Sequence, residues 1–206
     1  MDCLIVDDHA IFREAVTLLV ATAHPDVRWR QAGSLAAARD VVASEGEPEL
    51  VLLDLQLPDA QELDTLHRMQ PIAPRARLCV LSADDRQETV LAALDAGAAG
   101  FIPKRADGDT LRAALATVLR GGVFVPPPAL LSAPEAALPQ EALQLSARQR
   151  DVLRLLIDGR SNKSIAQQLE LSPSTVRTHV ENLFERLGVH NRTQAVVRAA
   201  RLGLQL

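Results

Sequence analysis

Short apolar runs alternate with stretches of helical periodicity in the first part of the chain. Continuous short runs of this kind are typical of strands that are buried on both faces of a parallel sheet. The pattern predicts strands near residues 3–7, 28–32, 50–54, 77–82 and 99–102, and helices near residues 10–22, 35–44, 61–69, 85–95 and 108–119. Strict alternation of strand and helix predicts an α/β domain with a five-stranded, doubly wound parallel sheet. The strand order 2-1-3-4-5 would make the first and third strands neighbours at the point where the order reverses.

Polar residues stand where these apolar runs end. Asp7 and Asp8 follow the first run, and Asp54 ends the third. Ser82 ends the fourth run, and Lys104 follows the fifth. Because doubly wound sheets bind ligands at the carboxyl ends of their strands, the pattern brings three acids, a hydroxyl and an ammonium to one edge. Such a set outlines a site that binds a divalent metal and accepts a phosphoryl group.

Each of these acids also has a structural interpretation. An aspartate after a strand often caps the next helix, so a single one is weak evidence for function. Stability alone does not require three acids on one edge, and the combination therefore favours a functional site. The lysine is an independent indication, because the chain has 20 arginines and only two lysines, Lys104 and Lys163.

The C-terminal part of the chain contains well-marked helix starts. Ser146 and Gln149 form a capping box, Ser161 is a second N-cap, and Ser172 precedes Pro173 at the start of a third helix. The apolar stripe of this third helix consists of Val176, Val180, Leu183 and Leu187. A short helix, a tight turn and a capped helix with a polar outer face predict a helix-turn-helix module.

The net charge of -4 conceals an asymmetry between the two parts of the chain. Residues 1–143 contain 12 Lys and Arg against 21 Asp and Glu, whereas residues 144–206 contain 10 against five. A basic helix-turn-helix module, here followed by a last helix near residues 193–201, is suited to the major groove of double-stranded DNA. The alternative is a small helical scaffold that binds protein, because charge alone is weak evidence for nucleic acid.

Composition limits the class of protein. No apolar run approaches the roughly 18 residues of a membrane span, and the N-terminus has no signal-peptide pattern, so we expect a soluble, cytoplasmic protein without a membrane partner. Cys3 and Cys79 fall inside predicted strands and lack disulfide or metal spacing. We interpret both as buried thiols.

Four motifs of the first part, LIVDDH, VLLDLQLPD, VLSA and GFIPK, resemble the receiver domain of two-component response regulators. Residues 145–196 are similar to the LuxR-type helix-turn-helix domain, and the order of the two parts matches the NarL/FixJ class. The resemblance implies a flavodoxin-like receiver over residues 1–122, a proline-rich linker over 123–143 and a DNA-binding domain over 144–206. It implies a phosphorylation-controlled transcriptional regulator rather than an enzyme, although the receiver is expected to promote its own phosphorylation and dephosphorylation.

The resemblance assigns roles to the residues at the strand ends. Asp54 is the expected phosphoacceptor, which takes a phosphoryl group from a phosphohistidine of a sensor histidine kinase. The expected Mg²⁺ ligands are the carboxylates of Asp7, Asp8 and Asp54 and the backbone carbonyl of Gln56. Lys104 and Ser82 are expected to contact phosphoryl oxygens. Phe101 matches the aromatic position that turns inward on phosphorylation, although an aromatic residue on a strand is also a common core residue.

In the DNA-binding part, Arg177, Thr178 and Glu181 match the base-facing positions of the family. Thr175, Lys163 and Arg192 match positions that contact phosphates, and Ser174 lies on the same outer face. Glu181 departs from the basic or neutral residue expected, and it either accepts from a cytosine amino group or is a solvated charge that weakens non-specific binding. The expected partners are the sensor kinase and double-stranded DNA. The chain is also expected to form a homodimer on phosphorylation, and RNA polymerase is a further candidate partner.

Several expectations stay open at the level of sequence. Residues 59–62 lack the glycine usual in the loop after Asp54, so either the loop has another shape or the next helix begins earlier. His9 has no second histidine or cysteine at ligand spacing and is expected in an exposed loop.

The chain is alternatively a phosphorylation-independent regulator with a vestigial acidic site. A phosphatase is disfavoured because Gln56 stands where such enzymes place a second acid, and a flavin site because Asp7 and Asp8 would repel a phosphate.

Overall fold

A computed structural model describes residues 1–21, 24–127, 145–202 and 204, and these form two compact units, Met1–Ala116 and Thr117–Leu206. Residues 128–143 of the predicted linker lie outside the described residues. None of the helices in the described ranges has the length and apolarity needed to cross a lipid bilayer.

The first unit contains a five-stranded parallel sheet with helices between its strands. Its strands are β1 (Asp2–Val6), β2 (Arg28–Ala32), β3 (Leu50–Asp54), β6 (Arg77–Ser82) and β7 (Gly100–Pro103), and β4 (Gln56–Leu57) pairs with β5 (Ala60–Gln61) in a separate hairpin. The helices are α1 (Ala10–Ala21), α2 (Leu35–Glu45), α3 (Glu62–Met69), α4 (Gln87–Asp95) and α5 (Gly108–Leu119). The sheet order β2-β1-β3-β6-β7 confirms the predicted order and fold class.

The centre of the sheet is buried on both faces, as the continuous apolar runs predicted. Every residue of β3 is buried, and so is every residue of β1 after Asp2. Right-handed crossovers place α2, α3 and α4 on the same face of the sheet, and the contacts of α3 with both of the others agree with this arrangement. The polar residues at the strand ends therefore border a sheet whose central strands are buried.

The loop after β3 differs from both of its expected forms. The hairpin β4–β5 was not predicted, because strands of two residues are too short to produce a periodic pattern. Glu62 takes a left-handed backbone with a φ of 53°, a conformation that glycine adopts without strain. The loop thus has the positive φ for which a glycine is suited, with a glutamate at that position.

Residues 145–202 of the second unit form a four-helix arrangement. Its helices are α6 (Ala147–Ile157), α7 (Asn162–Gln168), α8 (Pro173–Leu187) and α9 (Arg192–Arg201). The predicted N-caps are confirmed: Ser146 and Gln149 form a capping box, and Ser161 and Ser172 each accept a backbone N–H of the first turn. The predicted apolar stripe of α8 is buried in a core shared by all four helices.

Both cysteines lie in the sheet. Cys3 on β1 and Cys79 on β6 are fully buried, as predicted. Burial raises the pKa of each thiol to about 12, so both are protonated at neutral pH. They are core residues of the first unit.

Candidate functional site

The topology brings the predicted acids together at one edge of the sheet. β1 and β3 are neighbours, and their register pairs Val6 with Leu53. Asp7, which follows β1, and Asp54, which ends β3, therefore leave the sheet side by side. β1 also borders β2, so this edge is the point at which the strand order reverses, where doubly wound sheets bind their ligands.

Lys104 connects the two buried acids. Its Nζ lies 2.5 Å from Asp54 Oδ2 and 2.7 Å from Asp7 Oδ2. The carboxylates of Asp7 and Asp54 are almost completely buried, and the lysine side chain is 14% exposed. The same Nζ lies 5.0 Å from the centre of the Phe12 ring, within the range of a cation–π contact. The predicted lysine thus neutralises charge between the predicted acids.

Burial and ion pairing shift the ionisation of this cluster in defined directions. Burial raises the pKa of Asp54 above its ordinary value, although the hydrogen bonds from Lys104 and the Gln56 amide oppose the shift. Burial alone would lower the pKa of Lys104, but its hydrogen bonds to Asp54 and Asp7 outweigh burial and raise it. The lysine therefore stays a cation at neutral pH, and it lies beside the desolvated carboxyl group of Asp54.

Side chains that the sequence did not single out hold the acidic loops in place. Arg13 on α1 donates to the backbone carbonyl of Asp7 at 2.5 Å. Buried Thr65 on α3 donates to the carbonyl of Leu55 at 2.9 Å, directly after Asp54. The two contacts join residues six and ten positions apart and each reaches a backbone oxygen, so no sequence motif reveals them. They fix the backbone on either side of the cluster.

Ser82 and Phe101 lie where the strand pattern predicted them. Ser82 ends β6 and is buried, and its hydroxyl oxygen accepts the amide of Asp84 at 3.1 Å. This bond uses the oxygen as an acceptor, and the hydroxyl proton remains available to a phosphoryl oxygen. Phe101 on β7 is completely buried, so the aromatic ring occupies the inward position in this structure.

An open cleft of about 660 Å³ leads to Asp54, with Ser82, Lys104 and the α1 residues Ile11 and Phe12 in its walls. Asp54 is thus accessible from one side although its carboxylate is nearly buried. The side chain of Ile11 is 84% exposed at the mouth. A phosphoryl donor can approach the acid along this cleft.

The donor atoms around Asp54 are suited to a hard divalent cation. Asp7, Asp8, His9 and Asp54 each offer a ligand atom, and these atoms lie within 4.8 Å of one another. Carboxylate oxygens are the ligands that Mg²⁺ prefers, and three acids near one lysine leave a net negative charge. His9 is 70% exposed, as predicted, and its Nδ1 lies 2.6 Å from Asp8 Oδ1. The residues therefore fit a metal ion of the Mg²⁺ type.

The predicted base-facing residues share the outer face of α8. The exposed residues of this face include Ser174, Thr175, Arg177, Thr178 and Glu181. Arg177 Nε donates to Glu181 Oε1 at 2.9 Å, one helical turn away. The sequence prediction did not include this pair, although the spacing of four residues between opposite charges on a helix is a known signal for it.

The two predicted phosphate contacts outside α8 have different surroundings. Lys163 on α7 is exposed. Arg192 begins α9, and its NH2 group donates to the carbonyls of Leu156 at 3.0 Å and Arg160 at 2.6 Å. These carbonyls lie at and just beyond the end of α6, so Arg192 connects α9 to that turn. Its guanidinium has a structural role within the unit.

Comparison with known proteins identifies the family. The model of the response regulator receiver domain matches residues 3–116, and that of the bacterial regulatory proteins of the luxR family matches residues 143–199. The chain therefore belongs to the response regulators of the NarL/FixJ class, which are phosphorylation-regulated transcriptional regulators with a LuxR-type DNA-binding domain.

Two curated relatives cover almost the whole chain. The glycerol metabolism activator of Pseudomonas putida is 32% identical over 206 residues, which cover 95% of this chain and 93% of that protein. The nitrate/nitrite response regulator protein NarL of Escherichia coli (strain K12) is 31% identical over 200 residues, which cover 94% of this chain and 92% of NarL. Both comparisons span the receiver and the helix-turn-helix domain together.

Solved structures support the same fold. The two-component response regulator RcsB in complex with DNA aligns with a TM-score of 0.56 and 20% identity, covering 98% of both chains. A LuxR family DNA-binding response regulator from Silicibacter pomeroyi aligns with a TM-score of 0.53 and 31% identity, covering 63% of this chain and 98% of that one. The likeness to RcsB supports the fold alone.

Proposed function

We propose that Asp54 is the phosphoacceptor of this regulator and that its phosphorylation controls sequence-specific DNA binding by α8. The contact of Lys104 with both Asp54 and Asp7 carries this proposal. A cation held between two buried acids at the ligand-binding edge of the sheet, beside an open cleft, suits a group that receives and stabilises negative charge. A role in stability alone does not require the cleft.

The transfer step uses the residues on this edge. An oxygen of the Asp54 carboxylate attacks the phosphorus of a phosphohistidine, a P–O bond forms, the P–N bond breaks, and the imidazole leaves and takes up a proton. Lys104 pairs with one phosphoryl oxygen, and Ser82 donates its hydroxyl proton to another. Because the Lys104 ammonium already lies 2.5 Å from the Asp54 carboxylate, transfer needs little movement of the cation.

Asp7, Asp8, Asp54 and the backbone carbonyl of Gln56 are the proposed ligands of Mg²⁺. When bound, the cation offsets the repulsion between the clustered carboxylates and the incoming phosphoryl group. Arg13 supports this ligand set by holding the carbonyl of Asp7.

The donor is a sensor histidine kinase, which we propose contacts α1. Ile11 and Leu18 on α1 are 84% and 72% exposed, and their spacing of seven residues places them on the same side of the helix. Ile11 also borders the cleft that leads to Asp54. An apolar surface beside the acceptor is suited to a protein that delivers the phosphoryl group.

The DNA-binding step uses the outer face of α8, which we propose lies in the major groove of double-stranded DNA. In this arrangement the base edges are faced by Arg177, Thr178 and Glu181. The DNA backbone lies near the start of the helix, beside Ser174 and Thr175. Lys163 is a proposed phosphate contact outside α8, and Arg192 is a second one that also holds α9 to the turn after α6. Phosphorylation favours a homodimer that binds two half-sites about one helical turn apart, and RNA polymerase is a further proposed partner.

The test is DNA binding by the full-length protein on a randomised duplex pool, with and without Mg²⁺ and a small acyl phosphate. We expect tighter, selective binding only when donor and metal are both present, and no such gain in Asp54→Asn. Incorporation of phosphate measured on the same samples separates the two steps.

Two outcomes would contradict the proposal in different ways. Stable phosphorylation of Asp54→Asn would place the acceptor elsewhere in the chain. Selective binding that is equal with and without donor and metal would leave a DNA-binding regulator whose acidic site is vestigial. Lys163→Met is a control for the loss of a positive charge. Because Lys163 is a proposed DNA contact, this variant should alter DNA affinity and leave phosphate incorporation unchanged.

A further inference from the structure

Arg177 and Glu181 form an ion pair on the outer face of α8. The Nε–H group of Arg177 donates to Glu181 Oε1 at 2.9 Å, and the side chains are 78% and 57% exposed. The core residues Val176 and Val180 lie on a neighbouring face of the helix and are buried. The pair is therefore directed away from the core of the unit and contributes little to its packing.

The neighbouring hydroxyl groups bond within the helix. Thr178 Oγ1 donates to the carbonyl of Ser174 at 3.2 Å. The hydroxyl of Ser172 lies 2.8 Å from the hydroxyls of both Ser174 and Thr175. Arg177 is the one arginine or lysine between residues 174 and 181. Its guanidinium is therefore the dominant charged donor of the predicted base-facing surface.

The geometry of the ion pair leaves part of the guanidinium for a ligand. A guanidinium has five N–H groups, and Glu181 takes the one on Nε. The two terminal nitrogens carry the other four, and a parallel pair of N–H groups matches O6 and N7 of guanine in the major groove. A guanidinium without a carboxylate neighbour binds phosphate oxygens equally well and carries no sequence information there.

We propose that Glu181 is a positioning residue that directs the Arg177 guanidinium to guanine and, by its negative charge, keeps that guanidinium off phosphates. The inference rests on the proposed function of α8 as the base-reading helix and goes beyond it by assigning one base and one supporting residue. This role accounts for the acid at position 181, where we expected a basic or neutral residue. The acid raises the selectivity of DNA binding and lowers the total affinity for DNA.

The experiment compares Glu181→Gln with wild-type full-length protein in the presence of Mg²⁺ and a small acyl phosphate. Base preference is read from a randomised duplex pool, and affinity for a random duplex is measured over a range of salt concentrations. We expect the variant to lose about tenfold of its preference for guanine at one position of each half-site. We also expect tighter binding to the random duplex and a salt dependence steeper by about 0.9, which corresponds to one additional phosphate contact.

Glu185→Gln is the matched control. Glu185 is exposed on the same helix one turn beyond Glu181, and it loses the same charge. Glu185 lies one turn beyond the residue that pairs with Arg177, so we expect the base preference of Glu185→Gln to equal that of the wild-type protein. Equal changes in the two variants would show a general effect of charge and would overturn the inference, as would an unchanged guanine preference in Glu181→Gln.

Arg177→Lys tests whether Glu181 acts through the arginine. Lysine lacks the planar fork, so guanine preference falls in this variant, and adding Glu181→Gln should change it no further. If Glu181→Gln still alters base preference in the Arg177→Lys protein, Glu181 itself accepts from a base such as cytosine and the positioning role is wrong. Failure of the wild-type protein to select any sequence would overturn the proposed function of α8 together with this inference, whereas the preceding outcomes overturn the inference alone.

Discussion

The Nζ atom of Lys104 lies 2.5 Å from Oδ2 of Asp54, and the same atom lies 2.7 Å from the carboxylate of Asp7. One lysine thus balances two carboxylates that the sheet holds side by side and almost completely buried. The stability of the first unit and the reactivity of Asp54 therefore depend on the same contact. This dependence gives the first two predictions.

Lys104→Met should destabilise the first unit by about 3–5 kcal/mol, because loss of one partner leaves buried carboxylates without their cation. Unfolding by urea can be followed through Trp29, the single tryptophan of the chain, which lies on β2 in this unit. Added Mg²⁺ should reduce the loss by supplying another cation. The control is exposed Lys163→Met, which should leave the Trp29 transition unchanged, and an equal loss in both variants would contradict the prediction.

Asp54→Asn should stabilise the first unit at neutral pH. Because burial raises the pKa of Asp54, the folded protein binds a proton at this carboxyl more tightly than the unfolded chain does. The charged carboxylate therefore costs stability at neutral pH, by about 1.4 kcal/mol for each pKa unit between the two states. The gain should shrink as the pH falls through the raised pKa toward about 4, the ordinary value for aspartate. A gain that is constant from pH 7 to pH 4 would show that burial of the charged carboxylate is not its cause.

Glu62→Gly should stabilise the first unit by about 0.5–1 kcal/mol. The left-handed backbone costs a residue with a side chain about 1–2 kcal/mol, and part of the relief is offset by the greater entropy of glycine in the unfolded chain. Gln61 is the matched control, because its φ of -135° is ordinary extended backbone. Gln61→Gly should therefore lower the stability. The prediction fails if both substitutions lower the urea midpoint of Trp29 fluorescence.

Asp59→Ala should destabilise the first unit by about 1 kcal/mol, because the Asp59 carboxylate caps the start of α2 from a distant loop. Its two oxygens accept the amides of Leu35 at 3.1 Å and Ala36 at 2.9 Å. Partial burial alone would raise the pKa of Asp59, but these amides outweigh it and lower the pKa. The contribution should therefore be complete above about pH 4, the ordinary pKa, and be lost as the pH falls through the lowered value.

The measurement is urea unfolding of the wild-type and Asp59→Ala proteins between pH 7 and pH 2.5, with Trp29 fluorescence as the probe. Asp109→Ala is a suitable comparison, because Asp109 is an exposed aspartate in the first turn of α5. The difference between wild type and Asp59→Ala should narrow toward the acid end of the range. A difference that widens there would contradict the assigned direction of the pKa shift.

The sequence predicted the acidic edge because its residues stand in regular positions. Asp54 and Ser82 end buried strands, and in a parallel sheet such ends meet at one edge, so strand boundaries and strand order were sufficient to bring them together. The N-caps of the second unit were equally accessible, since Ser172 accepts from an amide only three residues along the chain. Local rules and one topological rule therefore account for most of the fold.

The contacts that the sequence did not predict are non-local or irregular. Arg13 reaches a carbonyl of Asp7, and Arg192 reaches two carbonyls at the end of α6. Backbone carbonyls occur at every residue, so a sequence gives no indication of which one an arginine contacts. The left-handed backbone of Glu62 was missed for another reason, because the tertiary fold imposes on this glutamate a conformation that its own preference disfavours.

The scarcity of lysine has a practical consequence for labelling the protein. The Lys104 ammonium is held between two carboxylates with its side chain 14% exposed, and its pKa is raised, whereas Lys163 is exposed. Amine-reactive dyes need an accessible amine, so of the two lysines they should attach to Lys163, which lies in the second unit, and spare Lys104. A dye at Lys163 therefore marks the DNA-binding domain, and its response to phosphorylation is measurable without an introduced cysteine.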